Sequence, residues 1–432
     1  MQQTNALKLA PRPPGPDAPA TLGIDASTLD TLARAHRDHG DMVSLQTTDG
    51  RSACFVNAPE AAKQVLVRQH PAFRKGRGFE RVKMLLGNGL IVSDGDTWRR
   101  ARTMIQPVFK NRHIGRLVPV MQHSVARSAE RWDRCISMGQ PIDITRESAI
   151  YALETILVAI FGHDVDRDAI ASGESPFSFL ADDSARDLGT VRRVRALREH
   201  VTGIIERRRA QPGEGDLLDG YMAARDSSGQ PFSDAELLDE LMTLVIAGFE
   251  TAANTLGWAW FLLADAPDVA QRLIVEARAA LPDGAPATAE AVLSMTAVRQ
   301  TLDEVMRLFP PVWLFTRRTQ TDIEIGGFSL AADTDVYLSP YLMQRDAKRW
   351  PDPDRFDPMR FANPAAREAF FPFSLGPRRC LGEHFAYLEM ALQLGLLLPR
   401  FELLRDGGPP PALEFAINLR TRDDIVLRPQ YR

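Results

Sequence analysis

Cysteine is scarce in this sequence: Cys54, Cys135 and Cys380 are the three in 432 residues, odd in number and far apart. That excludes a disulfide framework and fits a reducing compartment. A surplus of either charge is also missing. Lys+Arg 52 against Asp+Glu 56 leaves a net charge of −4, which argues against nucleic acid as the main partner. No uncharged apolar run is long enough to span a bilayer. The opening MQQTNALKLA is too short and polar for a signal peptide or anchor, so a cytoplasmic protein is expected. No flavin or iron–sulfur motif is found, and Gly87-Asn88-Gly89 lacks the third glycine and the strand–helix setting of a dinucleotide loop. What remains is an ordinary globular composition, 44% hydrophobic and 25% charged, enough for one large domain or two to three average ones.

One stretch stands out: Phe373 to Gly382, F-S-L-G-P-R-R-C-L-G, followed at once by a helical run from Glu383 to Leu398. It places Cys380 in a glycine-bracketed loop just before a helix N-terminus, where negative charge is favoured and a thiol's pKa falls. Gly376 and Gly382 allow a tight turn and a close approach to a flat ligand. Arg378 has the fork that pairs bidentately with a carboxylate, and Phe373 would shield the sulfur from water. A thiolate, a planar ligand and a carboxylate partner together suggest haem iron ligated by cysteine.

The pattern F-x-x-G-x-R-x-C-x-G resembles the haem-binding loop of the cytochrome P450 family, and the resemblance extends along most of the chain. It implies a mainly α fold with a small β region, the triangular-prism helical domain built around haem. The expected organisation is a proline-rich arm over residues 1–20 and a single catalytic domain over residues 21–432. In Trp98-Arg99-Arg100-Ala101-Arg102, Trp98 and Arg102 share a helix face and suit a carboxylate; the family's W-x-x-x-R pair holds a haem propionate. Ala247-Gly248-Phe249-Glu250-Thr251 lies in a long helix opened by a Ser233/Glu236 capping box. Ala247 and Gly248 would let a flat ligand lie against that helix. Thr251 would bond the preceding turn, and Glu250 with Thr251 would relay protons to dioxygen, as the family's oxygen-activating motif implies. Arg317 matches the family arginine on the second propionate, with Arg318 as fallback. Glu304 and Arg307 match E-x-x-R and, with Arg360, are expected to form a structural ion network. Met359 and Gln344 stand where the family usually has Glu and His.

The resemblance implies haem b as cofactor, with electrons from NAD(P)H through separate partners, a ferredoxin or flavodoxin and its reductase. Arg99, Arg100, Lys110, Arg112 and Arg379 are candidates to dock such an acidic partner. Val312, Trp313, Leu314 and Phe315, with Thr243, Leu244, Phe177 and Phe179, are expected to wall a cavity for a hydrophobic small molecule: a terpenoid, fatty acid or polyketide. The short, polar stretch from His163 to Thr190 is a trimmed lid, which leaves open a bulky or carrier-bound substrate. A monomer is expected. Two rivals stand beside the monooxygenase: a haem-thiolate isomerase or dehydratase needing no external electrons, and a haem-binding sensor with no organic substrate. The intact A-G-x-E-T argues against the isomerase or dehydratase; a spin-state shift with an organic ligand would separate the enzyme from the sensor.

Local signals set further expectations. Ser27 would cap a helix over 27–39 whose His36 and His39 face solvent. The segments 42–46 and 52–56 would form a hairpin around Asp49-Gly50, and Asn57 would cap the next helix. Strands 322–325 and 335–339 would flank Gly326-Gly327, and a hairpin over 413–428 would close the chain.

Overall fold

A computed structural model describes residues 10–181, 188–211, 213, 215–282 and 284–432. Two helices form its spine. The central helix, Asp234–Ala264, opens with the expected capping box: Glu236 N donates to Ser233 Oγ, and Ser233 N donates to Glu236 Oε2. It lies along helix Ile144–Phe161, which is buried without a break from Ile150 to Phe161. A helix apolar on every side must be covered on every side. Helix Val118–Ser137 supplies part of that cover and packs in turn on helix Glu383–Leu397. Trp132 meets Trp260 edge-on at 5.0 Å and Phe401 at 5.4 Å.

A five-stranded sheet stands beside this helical body, in the order Met42–Gln46, Ser52–Val56, Asp335–Leu338, Phe315–Thr319, Phe73–Lys75. The first two strands form the expected hairpin. Ser52–Val56 then pairs in parallel with Asp335–Leu338, and the remaining pairs are antiparallel. The proline-rich arm is fastened to this sheet: Ser44 N donates to Pro14 O at 2.8 Å, and Ala20 bridges to Thr47.

The ion network sits where helix Thr296–Leu308 meets the meander leading to the cysteine loop. Arg307 and Glu304 are fully buried and joined by two hydrogen bonds of 2.7 and 2.9 Å. Arg307 also donates to the carbonyls of Gln344, Pro353 and Arg355, and Arg360 lies 3.4 Å from Glu304. The two family departures are harmless here. Gln344 caps the helix end through Met306 O and Arg307 O, and Met359 is exposed.

Several local expectations give way. Asp25, not Ser27, caps the first helix, accepting from Thr28 N at 2.9 Å. Asn57 does not cap its helix; it bonds His36 instead at 3.2 Å. His36 is half-buried rather than solvated, engaging Gly40 O as well. Gly326-Gly327, both at positive φ, turn Ile323–Ile325 back onto Phe328–Leu330, while Asp335–Leu338 joins the larger sheet. The C-terminal hairpin is Leu413–Phe415 with Leu419–Thr421; the last strand, Val426–Tyr431, pairs with Phe401–Leu404 and Ile142–Asp143. The stretch expected to be a trimmed lid holds a six-residue helix, Arg167–Ser172, and a short turn, Ser178–Leu180, before helix Leu188–Ala210. Residues 182–187 within it lie outside the described residues.

Candidate active site at the Cys380 loop

The cysteine loop closes on itself. Cys380 N donates to Phe373 O at 2.9 Å and Arg379 N to Gly376 O at 3.0 Å. Gly376 has φ +68, and a Cβ there would overlap the Leu66 carbonyl oxygen, so it serves the turn and its seat on the 64–68 segment rather than a flat ligand. Gly382 has an ordinary φ of −83 and caps the following helix. The Phe373 ring leans on Tyr387 at 5.2 Å.

Cys380 is ringed by protein yet open on one side, as a group on the floor of a cleft is. Burial pushes its thiol up; the N–H groups of Gly382 and Glu383 and the Arg102 charge pull it down, but burial prevails over the expected helix-terminus effect. A thiolate held there needs a positive partner on the open side, and a metal ion supplies one.

The flank of the cleft is built of cations. Lys75 and Arg317 face each other in register across neighbouring strands, an unfavourable arrangement for like charges. Arg317 is buried and pushed down to about 10, by burial first and then by Arg378. Its guanidinium donates to Thr316 O at 2.8 Å, and no carboxylate of the described residues lies within ion-pair distance of it. Burial and the same two arginines hold the Lys75 ammonium well below its usual range. Arg378 pairs with Asp94, donates to Ser93 O at 3.0 Å and stacks 4.2 Å over the Trp98 ring. His70 meets Trp98 edge-on and is pushed down by burial and by Arg378 and Arg317. Among the described residues, Lys75, Arg317 and Arg378 thus set three cations around the carboxylate of Asp94, a surplus of two positive charges. A planar dicarboxylate such as haem fits that surplus, and the open thiol fits its iron.

The expected Trp98–Arg102 pair divides. Trp98 lies under Arg378, whereas Arg102 donates to Arg379 O at 2.8 Å and braces the cysteine loop. Lys75, His70 and Asp94 were not among the expected site residues. Lys75 had one sequence signal, a basic strand end just before Gly76, where a Cβ would crowd Arg317 N at 2.7 Å. Arg318 is taken up by Asp335 in a bidentate pair, which leaves Arg317 at the site.

On the distal side the central helix opens at Leu244, Ala247, Gly248 and Thr251 on successive turns, then is buried from Thr255 to Phe261. Thr251 Oγ1 donates to Ala247 O at 3.1 Å, and Glu250 beside it is half-buried. Gly248 belongs to helix packing: a Cβ there would meet Ile156 at 2.6 Å. Val312 stays partly open, but Trp313 is fully buried and donates to Ala416 O at 2.7 Å. Leu314 and Phe315 pack into small clusters beside the sheet. Thr243 is buried behind Gly89. Phe177 is core, tilted against Phe161 at 5.8 Å, and Phe179 lies under Arg193. Thr243, Trp313 and Phe177 therefore drop out of the expected wall, while Leu244, Ala247 and Val312 keep partly exposed side chains.

Among the described residues no helix is long and apolar enough to cross a membrane. A family model described as cytochrome P450 matches residues 21–172 and 175–427. Cyclooctatin synthase from Streptomyces melanosporofaciens is 32% identical over 388 residues, covering 84% of this chain and 83% of that protein. Pentalenene oxygenase from Streptomyces avermitilis is 30% identical, with 84% of each covered. A cytochrome P450 crystal structure, CYP102L1, superposes with a TM-score of 0.87 at 22% identity, covering 98% of this chain and 100% of that one. The chain therefore belongs to the cytochrome P450 family and is a monooxygenase carrying haem b, its electrons drawn from NAD(P)H through redox partners.

Proposed function

We propose that the enzyme places one oxygen atom on a hydrophobic terpenoid, a hydrocarbon ring system or its alcohol. The observation that carries this reading is the open face of the central helix. It is apolar at Leu244 and Ala247 and carries the Thr251 hydroxyl one turn on. Relatives named cyclooctatin synthase, pentalenene oxygenase and cyclooctat-9-en-7-ol 5-monooxygenase support a terpenoid over a fatty acid or polyketide.

Haem bound here supplies two-electron activation of dioxygen and transfer of one oxygen atom to the substrate. Cys380 is the iron ligand in this reading, its loop closed by the backbone bond to Phe373 O. Arg317, Lys75 and Arg378, the last held flat on Trp98, receive the two propionates, while Arg102 steadies the loop from below. Thr251 Oγ1 holds a proton at the distal face and passes it inward, and Glu250, half-buried, replenishes it from the solvent side. Glu304, Arg307 and Arg360 act only by fixing the meander that feeds the loop.

The electron donor docks on the cysteine-loop side, where a ferredoxin or flavodoxin suits the exposed Lys110 and Arg112, while Arg99 and Arg379 are exposed but already paired with Asp96 and Glu383. Arg100 drops out of that surface, because Asp226, Glu236 and Pro231 O already hold it. Docking of this kind weakens as salt rises.

Optical titration of the purified holoprotein with cyclic terpenes and with fatty acids tests the substrate class. A high-spin shift with terpenes alone is expected, followed by label from dioxygen appearing in one product atom. A shift with fatty acids alone would overturn the terpenoid reading. Turnover without reductant or dioxygen would favour an isomerase instead.

A further inference from the structure

Behind the cysteine loop lies a buried phenol that the monooxygenase reaction leaves unused. Tyr387, on helix Glu383–Leu397, is 3% exposed. Its hydroxyl donates to Asp303 Oδ1 at 2.5 Å, and Asp303, on helix Thr296–Leu308, is fully buried. Arg367 donates to Asp303 Oδ2 at 2.8 Å. Arg299 donates to Asp303 Oδ1 at 3.3 Å and lies 3.3 Å over the Tyr387 ring. Phe373 ties this cluster to the thiol: its ring meets Tyr387 at 5.2 Å, and its carbonyl accepts from Cys380 N at 2.9 Å. Among the described residues no other buried tyrosine donates to a carboxylate. Tyr151 donates to the carbonyl of Glu389, and Tyr431, which donates to Asp133, is exposed.

We propose that Tyr387 is a redox-active residue, an electron source that returns the haem to its resting state after an oxidising cycle has found no substrate, with Asp303 as the acceptor of its proton. The inference rests on haem ligation at Cys380 but not on which substrate the cavity takes.

Dioxygen activated with no substrate in reach, or peroxide arriving from outside, leaves the haem oxidised beyond its ferric state. The sulfur of Cys380 then faces that oxidant, and cysteine oxidised past the sulfenic step is not recovered. A phenol beside the loop offers the electron instead. The phenol O–H bond breaks, one electron goes to the oxidised haem, and the proton crosses the existing hydrogen bond to the Asp303 carboxylate. A neutral phenoxyl remains. One electron from the redox partner and the return of that proton restore the phenol. A phenol that has lost an electron is a far stronger acid than a carboxylic acid, so the proton crosses although two arginines hold Asp303. Because proton and electron leave together, no positive charge builds up on the ring beneath Arg299. Burial keeps the radical away from bulk solvent.

The test is electron paramagnetic resonance of the ferric holoprotein, mixed with hydrogen peroxide and frozen within milliseconds. The wild type should give an organic radical whose hyperfine structure narrows when the tyrosines are ring-deuterated. Tyr387→Phe keeps the ring and removes only the hydroxyl; it should lose that signal, while Tyr151→Phe keeps it. Peroxide should also bleach the haem of Tyr387→Phe several-fold faster, with oxidised Cys380 appearing in peptide mass spectra. A signal that ignores the label, or that survives in Tyr387→Phe, overturns the assignment. Equal bleaching in the two proteins overturns the protective role. Should Tyr387→Phe fail to retain haem, the other tyrosines are replaced one at a time: a signal surviving every replacement supports Tyr387, and its loss in any variant that keeps thiolate-ligated haem overturns it. The carbon-monoxide spectrum of each reduced sample checks thiolate ligation separately. A missing radical in thiolate-ligated wild type therefore overturns this inference and leaves the haem site standing.

Discussion

Replacing Arg317 with leucine should leave the haem-free chain at least as stable as before while loosening its grip on haem. Burial pushes the guanidinium down to about 10, a shift that sets about 3 kcal/mol against the fold while the group is charged. The sign is that of a cation with a depressed folded value: the penalty is complete below about pH 10 and is relieved as pH climbs past it. Leucine removes the charge and ends the opposition with Lys75. It also forfeits the bond to Thr316 O, about 1 kcal/mol. The balance is a gain of about 1–2 kcal/mol in the haem-free chain, read from urea unfolding followed by tryptophan fluorescence. The holoprotein loses a charge-assisted pair with a propionate worth about 1.5–3 kcal/mol, so haem should pass to a scavenging apoprotein roughly ten- to a hundredfold faster. A lowered urea midpoint with unchanged haem transfer would refute the assignment and make Arg317 a structural residue.

Arg307→Leu should behave in the opposite way: it strands the buried Glu304 charge, costs about 3–5 kcal/mol, and should lower the thermal midpoint of the holoprotein sharply. Gly376→Ala should cost more than about 1 kcal/mol, because φ +68 disfavours a Cβ and the Leu66 carbonyl occupies its place; haem retention after dialysis reads it. Thr251→Ala should keep consuming NAD(P)H while product per electron pair falls by about tenfold or more, measured by paired cofactor and product assays. Glu240 has a raised folded value, so its contribution is full below pH 4.5 and lost as pH rises through about 7. Glu240→Gln should therefore add up to about 3 kcal/mol above pH 7 and little at pH 4, as chemical denaturation at the two pH values would reveal.

The loop around Cys380, the long capped helix and the Glu304–Arg307 pair were legible in the sequence because each is local. A turn, a cap and a three-residue spacing on one helix face are all written within a dozen residues. The cationic flank was only partly legible. Lys75 gains its meaning from Arg317 across a strand pairing that no local signal announces, and Asp94 from an arginine on the cysteine loop. Trp313 and Phe177 misled for the complementary reason. An apolar side chain fits a cavity wall and a core equally well, and what decided the matter was a neighbour far along the chain, Ala416 for the one and Phe161 for the other. Gly248 likewise reads as room for a ligand until Ile156 is found filling it.

The parallel pairing of residue 53 with residue 335 also governs the order in which the molecule can be made. The hairpin at 42–56 leaves the ribosome early and must wait for its central neighbour. At roughly 5–20 residues per second that wait is on the order of tens of seconds. Lys75 waits with it, because its strand is completed only by Phe315–Thr319. A nascent chain released or stalled before the mid-300s exposes unpaired strand edges and has no complete cationic flank. Non-local pairings of this kind also fold slowly, so growth at low temperature with abundant haem precursor should raise the loaded fraction of the protein more than its total yield.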